Sequence, residues 1–132
     1  MSQPRLAGYI DMSFHVRNVH RSMLDQETGL RGWLATGDST FLTPYTSGLE
    51  ESETESDELL AELAAQGAPD LAEPVLEMLL ARQVWEQWAM EAATRSFDAT
   101  ERDQLSDFLV VGKEHFDSYR VHVATSTDLI VS

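Results

Sequence analysis

A continuous apolar seam with helical spacing runs through the first quarter of the chain. Its members step alternately by three and four residues, and they are Tyr9, Met12, Val16, Val19, Met23, Gln26, Leu30 and Trp33. This alternation keeps the side chains on one face of an α-helix over more than three heptads, as in helices that pack side by side. The seam therefore predicts one long helix that needs other helices to cover its apolar face.

Three further segments repeat this pattern. The second seam is Tyr45, Leu49, Ser52, Ser56, Leu59 or Leu60, and Leu63; the third is Leu71, Val75, Met78, Arg82, Trp85, Ala89 and Ala92; the fourth is Leu105, Leu109, Gly112, Phe116, Tyr119, Val123 and Ile130. No strand-like alternation competes with them. The chain is therefore predicted to be a single all-α domain over residues 1–132, an antiparallel up-down four-helix bundle with helices at about 5–36, 44–66, 71–96 and 99–130. In such a bundle both ends of the chain lie at the same end.

Glycine, proline and capping residues indicate where the helices begin and end. Gly37 is expected just past the first helix, in a left-handed conformation. Thr43–Pro44 reads as a cap followed by a first-turn proline. Asp70–Glu73 has capping-box spacing, although Pro74 is an alternative first residue of the third helix, and Asp98–Glu101 is a second box.

Charge and composition exclude several classes of partner and chemistry. The chain has 9 basic and 23 acidic side chains among 132 residues, a formal net charge of −14. Nucleic acids and anionic lipid surfaces bind clustered Lys and Arg, so neither is an expected partner. Cysteine is absent, which excludes disulfides, thiolate metal sites and a cysteine nucleophile. No apolar run is long enough to span a bilayer.

An acidic run covers residues 50–70, which hold eight acidic and no basic side chains. Such a run is typical of a solvated helix face. The alternative is a carboxylate-rich cation binder, which predicts stabilisation by calcium that Glu51→Gln with Glu55→Gln removes. The acids lie over several helical turns and do not converge like the ligands of an EF-hand loop.

Motifs for catalysis or metal binding are missing. None of the four histidines has Glu three residues before it, as di-metal bundles require. Phosphate-binding loops, nucleophile elbows and zinc-protease motifs are also absent. We therefore expect no enzyme activity, no metal centre and no cofactor.

Polar and aromatic residues on the seams leave two interpretations open. Gln26 and Arg82 either specify register and partner each other across the core, or line a polar pocket in which Arg82 binds an anionic ligand. Trp85, Trp88 and Phe97 are either core and rim aromatics or an aromatic ligand cage.

The segment around the first helix end combines unusual residues. Glu27 and Arg31 form an i,i+4 pair with the acid first, the favourable order. Gly29 and Gly32 lie inside the helix, where each costs about 1 kcal/mol relative to Ala. Two glycines one turn apart indicate that another helix or a ligand approaches the backbone closely.

This segment closely resembles the signature of the third family of CHASE-type sensor domains, which are associated with cyclases and histidine kinases. The matching residues are Glu27-Thr28-Gly29, Arg31-Gly32, Leu34, Thr36-Gly37-Asp38, Phe41-Leu42 and Tyr45. The family usually has a pair of aliphatic residues after its aromatic residue. Ala35 departs from this pair, and the difference affects packing. The match covers roughly 25 residues; elsewhere only the helical pattern agrees.

The resemblance implies an extracytoplasmic four-helix sensor domain on the bacterial cell membrane, with both termini of the chain at the membrane-proximal end of the bundle. Flanking membrane spans, absent from this chain, would connect it to a cytoplasmic kinase, cyclase, diguanylate cyclase or chemoreceptor module. Of these we expect a histidine kinase of a two-component system. We expect a homodimer that responds to an unidentified small molecule or protein. A structural or adaptor bundle that binds a protein partner is the alternative.

The candidate site residues follow from the motif and from the polar seam positions. The candidate ligand-binding residues are Glu27, Arg31, Asp38 and Arg82. The residues expected to build the corner are Thr28, Gly29, Gly32, Gly37 and Tyr45.

Overall fold

The structure, a computed structural model, describes residues 6–131, and within this range it contains four long helices and no strand. The helices are α1 (Leu6–Thr36), α2 (Leu42–Gln66), α3 (Pro69–Thr94) and α4 (Arg102–Val131), with short 3-10 turns at Ser39–Phe41 and Ala99–Glu101. The expected first-helix start at residue 5 lies outside the described residues. The prediction of an all-α four-helix bundle is confirmed.

Consecutive helices run antiparallel. His15 near the start of α1 contacts Glu55 in the second half of α2, and Trp88 late in α3 contacts Phe108 early in α4. Helix α1 contacts the other three helices, whereas α2 and α4 make no contact within the described residues and form a diagonal pair. The first turn of α1 and the last turn of α4 line one cavity, so both lie at the same end of the bundle.

The predicted seams form the core with few exceptions. Fully buried members include Met12, Val19, Met23, Gln26, Leu59, Val75, Met78, Ala89 and Tyr119. Leu59 and Leu60 were the two alternatives for one position of the second seam. Leu59 is buried and Leu60 is exposed, so Leu59 is the seam residue. The prediction for Leu109 is wrong, because its side chain is 38% exposed and borders a groove while Phe108 packs inward.

Several helix ends differ from the predictions. Gly37 and Gly67 adopt the left-handed conformation after α1 and α2 (φ 69° and 57°), as predicted for Gly37. Thr43 is not a cap, because the 3-10 turn capped by Asp38 leads directly into α2 at Leu42. The prediction of a capping box at Asp70–Glu73 is also wrong.

Helix α3 begins instead with Pro69 in its first turn, and its N-cap Ala68 makes no side-chain hydrogen bond. Pro74 therefore lies inside the helix. The helix ends at Thr94 because Arg95 is extended (φ −84°, ψ 137°). The box at Asp98–Glu101 is confirmed, with both reciprocal hydrogen bonds present.

Candidate functional site

The corner between α1 and α2 is built by close backbone contact. A Cβ atom at Gly29 would lie 2.6 Å from the carbonyl oxygen of Phe41 and 2.9 Å from the backbone nitrogen of Tyr45. The Phe41 ring lies directly on Gly32, and the Tyr45 side chain is buried. The close approach expected at the two glycines is thus made by the chain itself, at the start of α2.

Asp38 stabilises this corner from the outside. Its carboxylate accepts hydrogen bonds from the backbone nitrogen and the hydroxyl of Thr40, at 2.9 and 2.8 Å. The backbone hydrogen bond is the main reason that the pKa of Asp38 is lowered. Thr28, which was also expected to build the corner, is exposed.

A groove of about 560 Å³ lies between α1 and α4, with α3 as its floor. Trp85, Trp88 and Phe116 supply aromatic surface there, and the Trp85 and Phe116 rings meet edge to face at 5.2 Å. Leu109 borders the same groove, which explains its exposure. Phe97 does not line it and packs instead against Phe108, so the three aromatic residues do not form one cage.

Charged side chains surround the groove. Glu27 accepts a hydrogen bond from Arg31 at 2.9 Å and lies 3.8 Å from Arg120 of α4. Lys113 and Asp117 form a second ion pair at 2.7 Å. Three cations and two carboxylates leave the rim at about +1, in a chain whose formal net charge is −14. The groove is therefore locally positive on an acidic domain, as is the neighbouring cavity lined by Arg17, Arg21 and Arg120, and its apolar floor suits an apolar ligand with a negative group.

Of the four candidate ligand residues, only Glu27 and Arg31 border this groove. The Arg31 side chain is 75% exposed, so its guanidinium is free to reorient toward a ligand. Asp38 is held in the corner, and Arg82 lies in the core beneath.

A buried polar layer crosses the middle of the bundle. The Arg82 Nη1 atom donates to Glu86 at 2.6 Å and to the Ser52 hydroxyl at 3.0 Å. The Gln26 amide donates to the other oxygen of Glu86 at 2.9 Å. These side chains come from α1, α2 and α3, and all of them are buried.

These hydrogen bonds show how Gln26 and Arg82, the two polar residues on the seams, are partnered in the core. Gln26 and Arg82 do not bond each other; both bond Glu86, which acts as the anion for Arg82. Sequence reasoning missed Glu86, although its i,i+4 spacing from Arg82 was a usable signal.

The polar layer is incompletely satisfied. Among the described residues, Gln26 Oε1, Ser56 Oγ and Arg82 Nε have no hydrogen-bond partner. Burial raises the pKa of Glu86, although the neighbouring Arg82 guanidinium and the Gln26 hydrogen bond act in the opposite direction. A buried polar group without a partner costs about 1–3 kcal/mol, so this layer stores unfavourable free energy in the core.

Two more cavities continue along the contact between α1 and α4. One of about 740 Å³ lies beside His20 and Arg120, and one of about 440 Å³ lies between Tyr9 and Ile130. Beside the larger of these cavities His20 approaches the Tyr119 hydroxyl at 3.2 Å, and burial lowers the pKa of His20. The contact between the first and last helices is thus loosely packed along much of its length.

Comparison with known proteins places this arrangement in a family. No curated protein and no solved structure matches the chain. Within residues 6–131, no helix is both long and apolar enough to cross a membrane. The model of the CHASE3 domain, a sensory domain of signalling receptors that is typically extracellular, matches residues 14–129. The chain therefore belongs to the CHASE3 family, and it is a sensor domain rather than a catalytic one.

Proposed function

We propose that this domain is the extracytoplasmic input domain of a bacterial transmembrane receptor, and that the receptor is a sensor histidine kinase. In this proposal α1 and α4 continue into membrane-spanning helices. The observation that carries it is the relation of these two helices: their outer ends lie together, and three open grooves lie along the contact between them. A close-packed interface resists sliding, whereas a loosely packed one permits two arrangements.

The stimulus would act at the groove beside Glu27 and Arg31. Glu27 on α1 is the anion nearest to Arg120 on α4, so a ligand that displaces either side chain changes an electrostatic contact between the signalling helices. To shift the receptor, the ligand must bind one arrangement of α1 and α4 more tightly than the other.

The incomplete polar layer supports the same mechanism. Gln26 and Ser52 come from the α1–α2 pair, whereas Arg82 and Glu86 come from α3. A layer with unsatisfied donors and acceptors favours no single register strongly, so a second arrangement can have similar free energy. In this proposal Arg82 serves the core and Asp38 serves the corner, while Glu27 and Arg31 contact the ligand.

The receptor is proposed to act as a parallel homodimer, since the paired membrane helices of such receptors signal together. Sedimentation of the domain at several concentrations tests this. Reversible self-association supports the dimer, and a monomer at all concentrations contradicts dimerisation through the sensor domain alone.

The first test of the proposal is a thermal-shift screen of the 132-residue chain against carboxylates with apolar bodies, osmolytes and divalent ions. A ligand at 100 times its Kd adds about 2.7 kcal/mol and raises the Tm by several degrees. Arg31→Ala should abolish the shift, whereas Arg102→Ala, which removes an exposed arginine outside the groove, should keep it. A shift that survives Arg31→Ala would contradict the proposed ligand site.

The receptor assignment has its own test in the reading frame that encodes the domain. Apolar segments of about 20 residues on both sides of the domain support the proposal. A reading frame that ends near the domain with no such segment contradicts it.

An adaptor bundle that binds a protein partner is the second candidate function. It is favoured by an exposed apolar row on α3, formed by Leu76, Leu80 and Val84 with 46%, 60% and 46% exposure. Leu80→Glu distinguishes the candidates, because it should abolish partner binding by this row while leaving a groove-dependent thermal shift unchanged.

A further inference from the structure

His15 on α1 faces two carboxylates on α2. Its Nδ1 atom lies 2.7 Å from Oε2 of Glu55 and 3.5 Å from Oε2 of Glu58. The side chains of His15 and Glu55 are each only 16% exposed, whereas that of Glu58 is 53% exposed. All three ligand atoms lie within 4.8 Å of one another.

An ordinary ion pair does not balance this cluster. One ring nitrogen serves two carboxylates, so even a protonated His15 leaves a net charge of −1. Among the described residues, no Lys or Arg lies within ion-pair distance of Glu55 or Glu58. A divalent cation with a neutral imidazole would neutralise both carboxylates.

A neighbouring amide already orients the cluster. Asn18 Nδ2 donates to the second oxygen of Glu55 at 3.3 Å, and the Asn18 carbonyl accepts a hydrogen bond from Arg21 at 2.9 Å. Outer hydrogen bonds of this kind fix the orientation of ligands in metal sites. The Glu55 oxygen that faces His15 is therefore held toward the imidazole.

We propose that His15, Glu55 and Glu58 bind one divalent transition-metal ion, with Zn²⁺ as the reference metal. A mixed nitrogen and carboxylate set with three protein ligands and a water is a recurring zinc environment, with bonds of about 2.0–2.2 Å. The bound imidazole is neutral and carries its single hydrogen on Nε2, so the Nδ1 lone pair faces the metal. Any second ring proton is released to solvent, and His15 and Glu55 separate slightly. Ca²⁺ and Mg²⁺ fit less well because they prefer six or more oxygen ligands.

Such a site would clamp α1 to α2. It lies on the face of α1 that contacts α2, away from the groove between α1 and α4. The metal site and the proposed ligand site can therefore be tested independently. No metal-binding motif in the sequence includes these three residues, because they come from two different helices.

Titration of the metal-free 132-residue chain with Zn²⁺, followed by calorimetry, tests the site. We expect one equivalent to bind and the Tm to rise by several degrees, with no comparable rise in equal Mg²⁺ or Ca²⁺. Substitution with Co²⁺ should give the visible absorption of a four-coordinate site. Absence of stoichiometric Zn²⁺ binding would overturn the proposal.

Variants separate this site from diffuse attraction to the acidic helix. Glu58→Gln changes a half-exposed side chain and should weaken Zn²⁺ binding by at least about tenfold, since even outer-sphere partners contribute that much. His15→Gln should abolish binding. The control Glu50→Gln with Asp57→Asn removes two exposed charges from the same helix and should change the Kd by less than about threefold. Equal losses in Glu58→Gln and in the control would show a nonspecific acidic surface.

Discussion

Helix α1 packs in two different ways against its neighbours. Toward α2 it meets small residues: a Cβ atom at Gly48 would lie 2.7 Å from the carbonyl oxygen of Ser22, and Gly29 is similarly close to the start of α2. Toward α4 its neighbours are large or charged side chains, and cavities of hundreds of Å³ remain between the two helices. The first contact is between backbones and the second is between side-chain ends.

This difference indicates which parts of the domain move together. Backbones in van der Waals contact cannot slide without steric clash, so α1 and α2 form one unit. Long side chains across a groove can change rotamer while their helices shift. The incomplete polar layer around Glu86 joins this unit to α3. Four experiments test the contrast, from the largest expected effect to the smallest.

Glu86→Ala should destabilise the domain most. It leaves the Arg82 charge buried without its carboxylate and removes the acceptor of the Gln26 amide. Breaking a buried pair in this way costs about 3–5 kcal/mol. Urea denaturation followed by circular dichroism measures the loss of unfolding free energy, and hydrogen exchange should show α3 losing protection before α1 and α2.

Removing both charges is the control for this change. Arg82→Met with Glu86→Gln keeps an acceptor for Gln26 and leaves no buried ion, so its stability should fall within about 1 kcal/mol of the wild type or exceed it. A double variant as unstable as Glu86→Ala would mean that lost packing, and not an unpaired charge, causes the effect.

Gly29→Ala and Gly112→Ala compare the two kinds of contact directly. At Gly29 the added methyl meets backbone atoms of Phe41 and Tyr45, which cannot move without shifting α2. We expect a loss of about 1–3 kcal/mol, as for other overpacked sites. At Gly112 the methyl meets the Trp88 indole, a side chain that borders the groove, donates a hydrogen bond to the Phe108 carbonyl and stacks on the Phe108 ring.

The cost of moving Trp88 away from its hydrogen bond and stacking contact is partly offset by a gain in helix propensity of about 1 kcal/mol, and a side chain yields more readily than a backbone, so Gly112→Ala should destabilise less than Gly29→Ala. Thermal and urea denaturation of the two variants give the comparison. If Gly112→Ala destabilises as much as Gly29→Ala, the groove side is as rigid as the corner.

Much of the fold was predictable because helical periodicity is a local property. The first seam, from Met12 to Leu30, is buried as predicted, and Gly37 ends the helix as its left-handed conformation requires. The starts of α2 and α3 were not predictable in the same way. Asp38 begins a 3-10 turn that continues into α2, and Pro69 begins α3 without a side-chain cap, so competing local signals misplaced both starts.

The candidate site was less predictable because it depends on contacts between helices. The Glu27–Arg31 pair follows from i,i+4 spacing, but its proximity to Arg120 does not. Likewise, no local pattern brings His15 to Glu55. Residues far apart in sequence meet only once the rotation of each helix is fixed, and that rotation depends on packing around the whole core.

Ala35→Leu should fill part of the groove and stabilise the domain modestly. Ala35 lines the groove between α1 and α4, and a longer aliphatic side chain there buries apolar surface without meeting the α1–α2 backbone contact. Cavity-filling substitutions commonly add about 0.5–2 kcal/mol, and a partly open groove favours the lower end. Urea denaturation measures the gain, and a loss of stability would show that the groove wall is already fully packed.

The smallest expected effect is a pH dependence that separates the core from the corners. Because burial raises the pKa of Glu86, the folded domain takes up this proton at a higher pH than the unfolded chain does. The stabilisation from that proton is fully present below the ordinary pKa of Glu and is lost as the pH rises through the raised folded value. The exposed caps have the opposite sign, since hydrogen bonds from Thr40 and Thr100 lower the pKa of Asp38 and Asp98, and their stabilisation is lost as the pH falls.

Comparing the wild type with Glu86→Gln isolates the core contribution, because both proteins keep the same caps. As the pH falls from about 7 toward about 4, through the ordinary range of Glu, the unfolding free energy of the wild type should rise relative to that of Glu86→Gln. Urea denaturation across this range measures the difference. If this difference is constant, the pKa of Glu86 is the same in the folded and unfolded states. If the difference falls as the pH falls, the attraction of Arg82 for the Glu86 carboxylate outweighs the effect of burial. In the second case the Arg82–Glu86 ion pair stabilises the fold and favours one register, and the contrast between the rigid α1–α2 contact and the movable α1–α4 contact would then depend on the groove alone.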